Sequence, residues 1–142
     1  MKWPIAGAAL HREHKSMSVG IGVDAVEIDR FRRSLERTPS IKSRLFTDEE
    51  LDYVEPQIDP TASLAARFAA REAVMKAMGV GLGAFEFHDV WVQRAESGQP
   101  ALAVTGRAAQ IATDLGVTDW HLSITHTETT AIAYVIAVRS LP

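Results

Sequence analysis

Two acids in this chain occupy positions where acids are expensive. Asp24 ends the apolar run GIGVD, and Glu72 lies within RFAAREAVMKA, residues 67–77, a segment otherwise built for burial. A carboxylate in either setting costs free energy unless it is paired or bound to a metal. Lys76 follows Glu72 by four residues, so Glu72 reads in one way as half of a helical ion pair. That order is favourable and worth about 0.2–0.5 kcal/mol. In the other reading Asp24 and Glu72, with cations near them, suit a hard, oxygen-seeking ion such as Mg²⁺ holding a diphosphate. Residue pattern alone leaves both open.

The rest of that segment is equally unusual. At about 100° per residue, Arg67 and Arg71 share one stripe of a helix, and Glu72 and Lys76 share another roughly 140° away. Phe68 and Met75 lie between the stripes, while Ala66, Ala70, Ala73, Val74 and Ala77 fill the opposite side. A surface helix gathers its charges on one solvated face. Here they are split, so at least one stripe should line a cleft or an interface. Two other fragments carry less. GVGLG, residues 79–83, imitates a phosphate loop but follows a helix instead of opening one, and reads as a helix cap and flexible turn. Ser123 and His126 stand three apart on a strand and so face opposite ways, with no G-x-S-x-G elbow, which sets aside a serine hydrolase.

The elements that must position these residues follow from period and punctuation. SVGIGVDAVEI (18–28) reads as an apolar strand ending near Asp24, followed by a basic helix from Ile28 to Arg37 that stops near Pro39. Thr47 with Glu50 three residues on is a capping box, opening a short helix to about Val54. A long helix runs from Thr61 to Met78 and closes on Gly79. HDVWVQRA and PALAVTG form strands around the turn SGQP, residues 105–115 a helix ending at Gly116, and WHLSITHT and TAIAYVIAVR a final antiparallel pair. This order predicts an α+β fold.

Composition narrows the field. A chain of 142 residues, 46% hydrophobic and 23% charged, makes one globular domain. Residues 18–142 are read as that domain and residues 1–17 as an N-terminal extension, with Met17 an alternative start. The net charge of −3 offers no general affinity for nucleic acid, and no apolar run approaches the roughly 18 residues of a membrane span. With no cysteine, thiolate catalysis, disulfides and zinc–thiolate sites are excluded, which fits a reducing cytoplasm. Charge is uneven, however. Arg30, Arg32, Arg33, Arg37, Lys42 and Arg44 face a single acid, Glu36, a patch that is either a solvated helix face or a dock for an acidic partner.

GIGVDAVEIDRF, LFTDEEL, RFAAREAVMKAMGVGLG and HLSITHT occur in the order and spacing of the holo-[acyl-carrier-protein] synthases, which the chain resembles from about residue 18 to 139. The resemblance implies the 4′-phosphopantetheinyl transferase fold, a small antiparallel sheet packed with a long helix and shorter ones. It implies transfer of phosphopantetheine from coenzyme A to a serine of an acidic acyl carrier protein, serving fatty acid synthesis and releasing adenosine 3′,5′-bisphosphate. Asp24 and Glu72 match the Mg²⁺ ligands, and Glu72 also matches the group that helps deprotonate the serine. Lys76 and Arg67 match contacts to the coenzyme A phosphates, with Gly79 and His126 nearby. Arg30, supported by Arg37 and Arg44, matches the carrier-protein dock. A homotrimer with sites between subunits is implied in the same way. One position departs from the family: Arg71 stands where a lysine is usual, and a planar guanidinium does not replace a point ammonium at a tight site. The alternative is a non-catalytic module of the same fold that binds coenzyme A or carrier protein; intact Asp24, Glu72 and Lys76 argue against it.

Overall fold

A computed structural model describes residues 16–142. The extension assigned to residues 1–17 therefore lies mostly outside the described residues; Ser16 and Met17 already belong to the first strand. That strand, β1 (Ser16–Glu27), leads into α1 (Ile28–Arg37), α2 (Ile41–Leu45), α3 (Asp48–Val54) and the long α4 (Thr61–Met78). After a 3-10 turn at Phe87–Asp89 come β2 (Val90–Arg94), β3 (Pro100–Val104), α5 (Gly106–Asp114), β4 (Asp119–His126) and β5 (Thr130–Ser140). The α+β reading holds. α2 has no counterpart in the sequence reading, because IKSRL is too short to show a helical period, and the 3-10 turn takes His88 and Asp89 from the start of the strand read in HDVWVQRA.

The last strand is the middle one. β5 pairs antiparallel with β1 on one side and with β4 on the other, while β2 and β3 form a separate ribbon. Along β5, Ala131, Ala133, Val135 and Ala137 are fully buried on one face, the alternation expected of a sheet covered on one side. α4 covers that face. Thirteen of its 18 residues are buried, because it lies between the sheet and the helices α1 and α3. A helix enclosed on all sides must be apolar nearly all round, hence its run of alanines. Gly79 closes it in the left-handed conformation at φ 69°, its amide and that of Val80 returning to the last turn.

The contact between β1 and α4 is unusually close. A Cβ on Gly20 would lie 1.8 Å from the Ala77 carbonyl oxygen, and one on Gly22 would lie 1.9 Å from that of Ala73. Strand backbone thus rests directly on helix backbone. Asp24 follows Gly22 by two residues and so points from the same face toward the same helix.

This close approach makes a test. Gly22→Ala should destabilise the fold by about 1–3 kcal/mol, since rigid backbone must move to admit the methyl. Gly81→Ala, where a Cβ meets nothing within 4 Å, should change stability little. Chemical denaturation of both variants measures the difference.

Candidate active site

Asp24 and Lys76 meet where β1 crosses the last turns of α4. The Lys76 ammonium donates to Asp24 Oδ1 at 3.1 Å and to the Val23 carbonyl at 2.9 Å. Glu72 lies one turn earlier on the same helix, half-buried. Burial pushes its carboxyl above the usual range, the Asp24 charge pushes it further, and Lys76 offsets part of the rise. Among the described residues Lys76 pairs with Asp24 across elements, and the expected Glu72–Lys76 pair along the helix does not form. Lys76 reaches Asp24 because the glycine contact brings the strand within its span.

Asp24 and Glu72 line one cavity of about 710 Å³. Its walls are largely apolar, with Phe31, Ile41, Leu45, Phe68 and Phe87, and Arg30 and Arg44 also line it. Phe31 of α1 stacks on Phe68 of α4 with centroids 5.6 Å apart and meets Phe46 edge-on, which fixes α1 against the long helix. Leu82, on the loop after Gly79, lines the cavity while largely exposed.

The second charged stripe does something different from what its position suggests. Arg71 is completely buried and makes a two-pronged ion pair with Glu50 of α3; its Nε also donates to the Phe87 carbonyl at 2.8 Å. Arg71 is therefore a structural residue, and no ligand reaches it. Arg67, also buried, places its guanidinium over the Tyr53 ring, with Arg94 against the same ring. Burial pulls its pKa down, and its Nε has no partner among the described residues. Arg67 does not line the cavity holding Asp24 and Glu72. The split stripes thus mark one cleft and one buried anchor. Glu50 is the residue that sequence reasoning undervalued. Its capping-box role was legible and is present, but its Oε2 also accepts from the Val92 amide at 3.2 Å, and nothing local announces that.

The basic segment divides as well. Arg32 is held by Asp29 and Asp59, and the Asp59 carboxyl is lowered to about 2 by hydrogen bonds from Thr61 and then from Arg32. Arg30, Arg37 and Arg44 remain exposed, and the first and last of these line the cavity. His126 ends β4, exposed, on the same sheet face as Asp24 but in register with Ala131 and, beyond it, Val26. That is two strand spacings, roughly 10 Å, from β1. Ser123 faces the other way, opposite Tyr134, as expected. Neither His126 nor Gly79 lines the cavity.

No group of three or more acids and histidines able to hold a metal occurs among the described residues. Mg²⁺ does not require one. It keeps several waters and is commonly held by one or two carboxylates together with substrate phosphates. The donor set here, two carboxylates lining one cavity with the pKa of Glu72 raised by burial and by Asp24, fits such an ion.

Residues 20–135 match the family model described as the 4′-phosphopantetheinyl transferase superfamily. The holo-[acyl-carrier-protein] synthase of Micrococcus luteus is 47% identical over 125 residues, covering 87% of this chain and 94% of that protein. The crystal structure of holo-[acyl-carrier-protein] synthase from Neisseria meningitidis superposes with a TM-score of 0.78 at 32% identity, over 85% of this chain and 98% of that one. The Bacillus anthracis synthase, solved in complex with CoA (3′,5′-ADP), gives 0.72 at 31% identity, over 87% and 99%.

The carboxylate pair sets a pH-dependent cost. A carboxyl whose pKa is raised on folding favours the fold below its unfolded value, near 4.5, and that contribution is lost as pH rises through the folded value. In metal-free buffer Glu72→Gln should therefore melt higher than wild type at pH 7.5, and the gap should close toward pH 4. Thermal melts across pH check this, and a gap independent of pH would contradict it.

Proposed function

The chain belongs to the 4′-phosphopantetheinyl transferase superfamily, and we propose on that premise that it converts apo- to holo-acyl carrier protein. It moves the 4′-phosphopantetheine group from coenzyme A to a carrier serine and releases adenosine 3′,5′-bisphosphate. The observation that carries this reading is the meeting of Asp24 and Glu72 in one cavity that Arg30 and Arg44 also line.

Each residue then has a task. Asp24 and Glu72 would hold Mg²⁺, which would neutralise diphosphate charge and so make the attacked phosphorus a better electrophile. Glu72, kept basic by burial, takes the proton of the serine hydroxyl directly or through a water as the Oγ–P bond forms. The P–O bond to the nucleotide phosphate breaks, and Lys76, within reach of the same acids, stabilises the charge left on that phosphate. Gly79, one turn beyond Lys76 at an exposed helix end, leaves the backbone open to coenzyme A. The apolar walls at Phe31, Ile41 and Phe68 receive the apolar surface of the carrier, and Arg30 and Arg44, with Arg37 beyond, attract its acidic face.

His126 is exposed outside the cavity of its own chain, and a coenzyme A held partly by a neighbouring copy would bring phosphates to it. Arg67 is buried against Tyr53, so a phosphate contact there requires that ring to move. The outer face of the three-stranded sheet is apolar and uncovered, with Ile21 60%, Val23 50% and Tyr134 38% exposed. A homotrimer with sites between subunits explains the place of His126 and the uncovered face. No helix among the described residues is long and apolar enough to cross a membrane. The proposed setting is cytoplasmic, where the chain supplies holo-carrier for fatty acid synthesis.

Incubation with coenzyme A, Mg²⁺ and apo-carrier protein should add one phosphopantetheine to the carrier, read by mass spectrometry. Glu72→Ala should abolish the gain while retaining the fold; near-normal transfer by the metal-loaded variant would sink the role given to Glu72. Arg30→Ala should raise KM for carrier several-fold more than KM for coenzyme A, and the difference should shrink as salt rises. An equal effect on both substrates would remove Arg30 from the dock.

A further inference from the structure

Lys76 and the divalent cation claim the same atom. The ammonium sits on Asp24 Oδ1 and on the adjacent Val23 carbonyl, both presented by the edge of β1 that packs on α4. The Asp24 side chain is only 17% exposed and cannot turn freely to offer other lone pairs, whereas the Lys76 side chain is 54% exposed and can leave. The Glu72 carboxylate makes no hydrogen bond among the described residues, and Lys76 is the cation that acts on both acids. A divalent ion placed beside a Lys76 still on Asp24 would set three positive charges against two negative ones and compete for an oxygen already engaged. An incoming diphosphate removes that conflict, because it gives the ammonium a new anionic partner.

We propose that Lys76 is a resident counter-ion, a positioning residue that holds Asp24 until cation and diphosphate arrive together. It then passes from the carboxylate to the diphosphate as the cation takes Asp24. The exchange rests on the reading of Asp24 and Glu72 as cation ligands. It makes the two bindings mutually reinforcing, since whatever raises the affinity for one must raise the other by the same factor. It also keeps the pair of acids neutralised in the resting protein without a metal. The contact is partly exposed, so its effect is modest, several-fold in affinity and not orders of magnitude.

Mn²⁺ affinity, followed by water-proton relaxation with the full-length protein, tests this without recourse to activity. Without coenzyme A, Lys76→Met should bind Mn²⁺ about three-fold more tightly than wild type, and added coenzyme A should raise its affinity by a smaller factor than it raises that of wild type. Arg30→Gln, which removes one positive charge from the same cavity but makes no contact with Asp24, should show a clearly smaller gain. If Lys76→Met binds no more tightly than Arg30→Gln, the gain is general electrostatics and the exchange is overturned while the ligand assignment stands. If Mn²⁺ binds none of the three proteins even with coenzyme A present, both fall.

Discussion

The backbone contact between β1 and α4 is the constraint on which the site depends. Gly20 and Gly22 lie against the carbonyls of Ala77 and Ala73 with no room for a Cβ between them. Small residues on both partners let a strand and a helix approach more closely than side chains normally allow. The distance saved is what makes the chemistry reachable. Asp24, two residues past Gly22, turns its carboxylate toward α4 and finds Lys76 within hydrogen-bond distance, with Glu72 one turn away. A β-branched residue at Gly22 would lift the strand, and the acids would become two unrelated half-buried charges.

The opposite side of the helix is held by charge. Arg71 and Glu50 form an ion pair wholly out of solvent, and Glu50 simultaneously caps α3 and accepts the Val92 amide of β2. Arg71 adds the Phe87 carbonyl. One pair thus ties α3, α4, β2 and the 3-10 turn together. Buried ion pairs often contribute little net stability against a well-packed apolar alternative, yet removing one partner typically costs about 3–5 kcal/mol. Their value here is geometric. Arg71 precedes Glu72 directly, so pinning the one sets the rotation of α4 that aims the other into the cavity.

Electrostatics then sorts the remaining cations by job. Arg32 is spent within the fold on Asp29 and Asp59, which braces α1 against the start of α4. Arg30 and Arg44 make no ion pair among the described residues and line the same cavity as the acids. A negatively charged site beside positively charged neighbours can draw in an acidic protein and a phosphate-bearing substrate without a positive net charge on the chain as a whole. The sign of the total charge is a poor guide to partners when the charges are so unevenly placed.

Most of the local structure was legible from residue order. Thr47 and Glu50 announced the start of α3, Gly79 the end of α4, and the period-two runs the strands, because caps, turns and alternation are short-range properties of the chain. The four spaced motifs were enough to identify the family, and Asp24 and Glu72 stood out as carboxylates in costly settings. What they could not contain was which charge meets which. Lys76 was read with Glu72, its helical neighbour, and proved to be bonded to Asp24, 52 residues away. Arg71 stood out only as a departure from the family's usual lysine and proved to be buried on Glu50. Those pairings depend on how closely two elements pack and on which side of α4 each partner lands, and that geometry exists only once β5 has drawn β1 into the sheet and the sheet has closed on the helix.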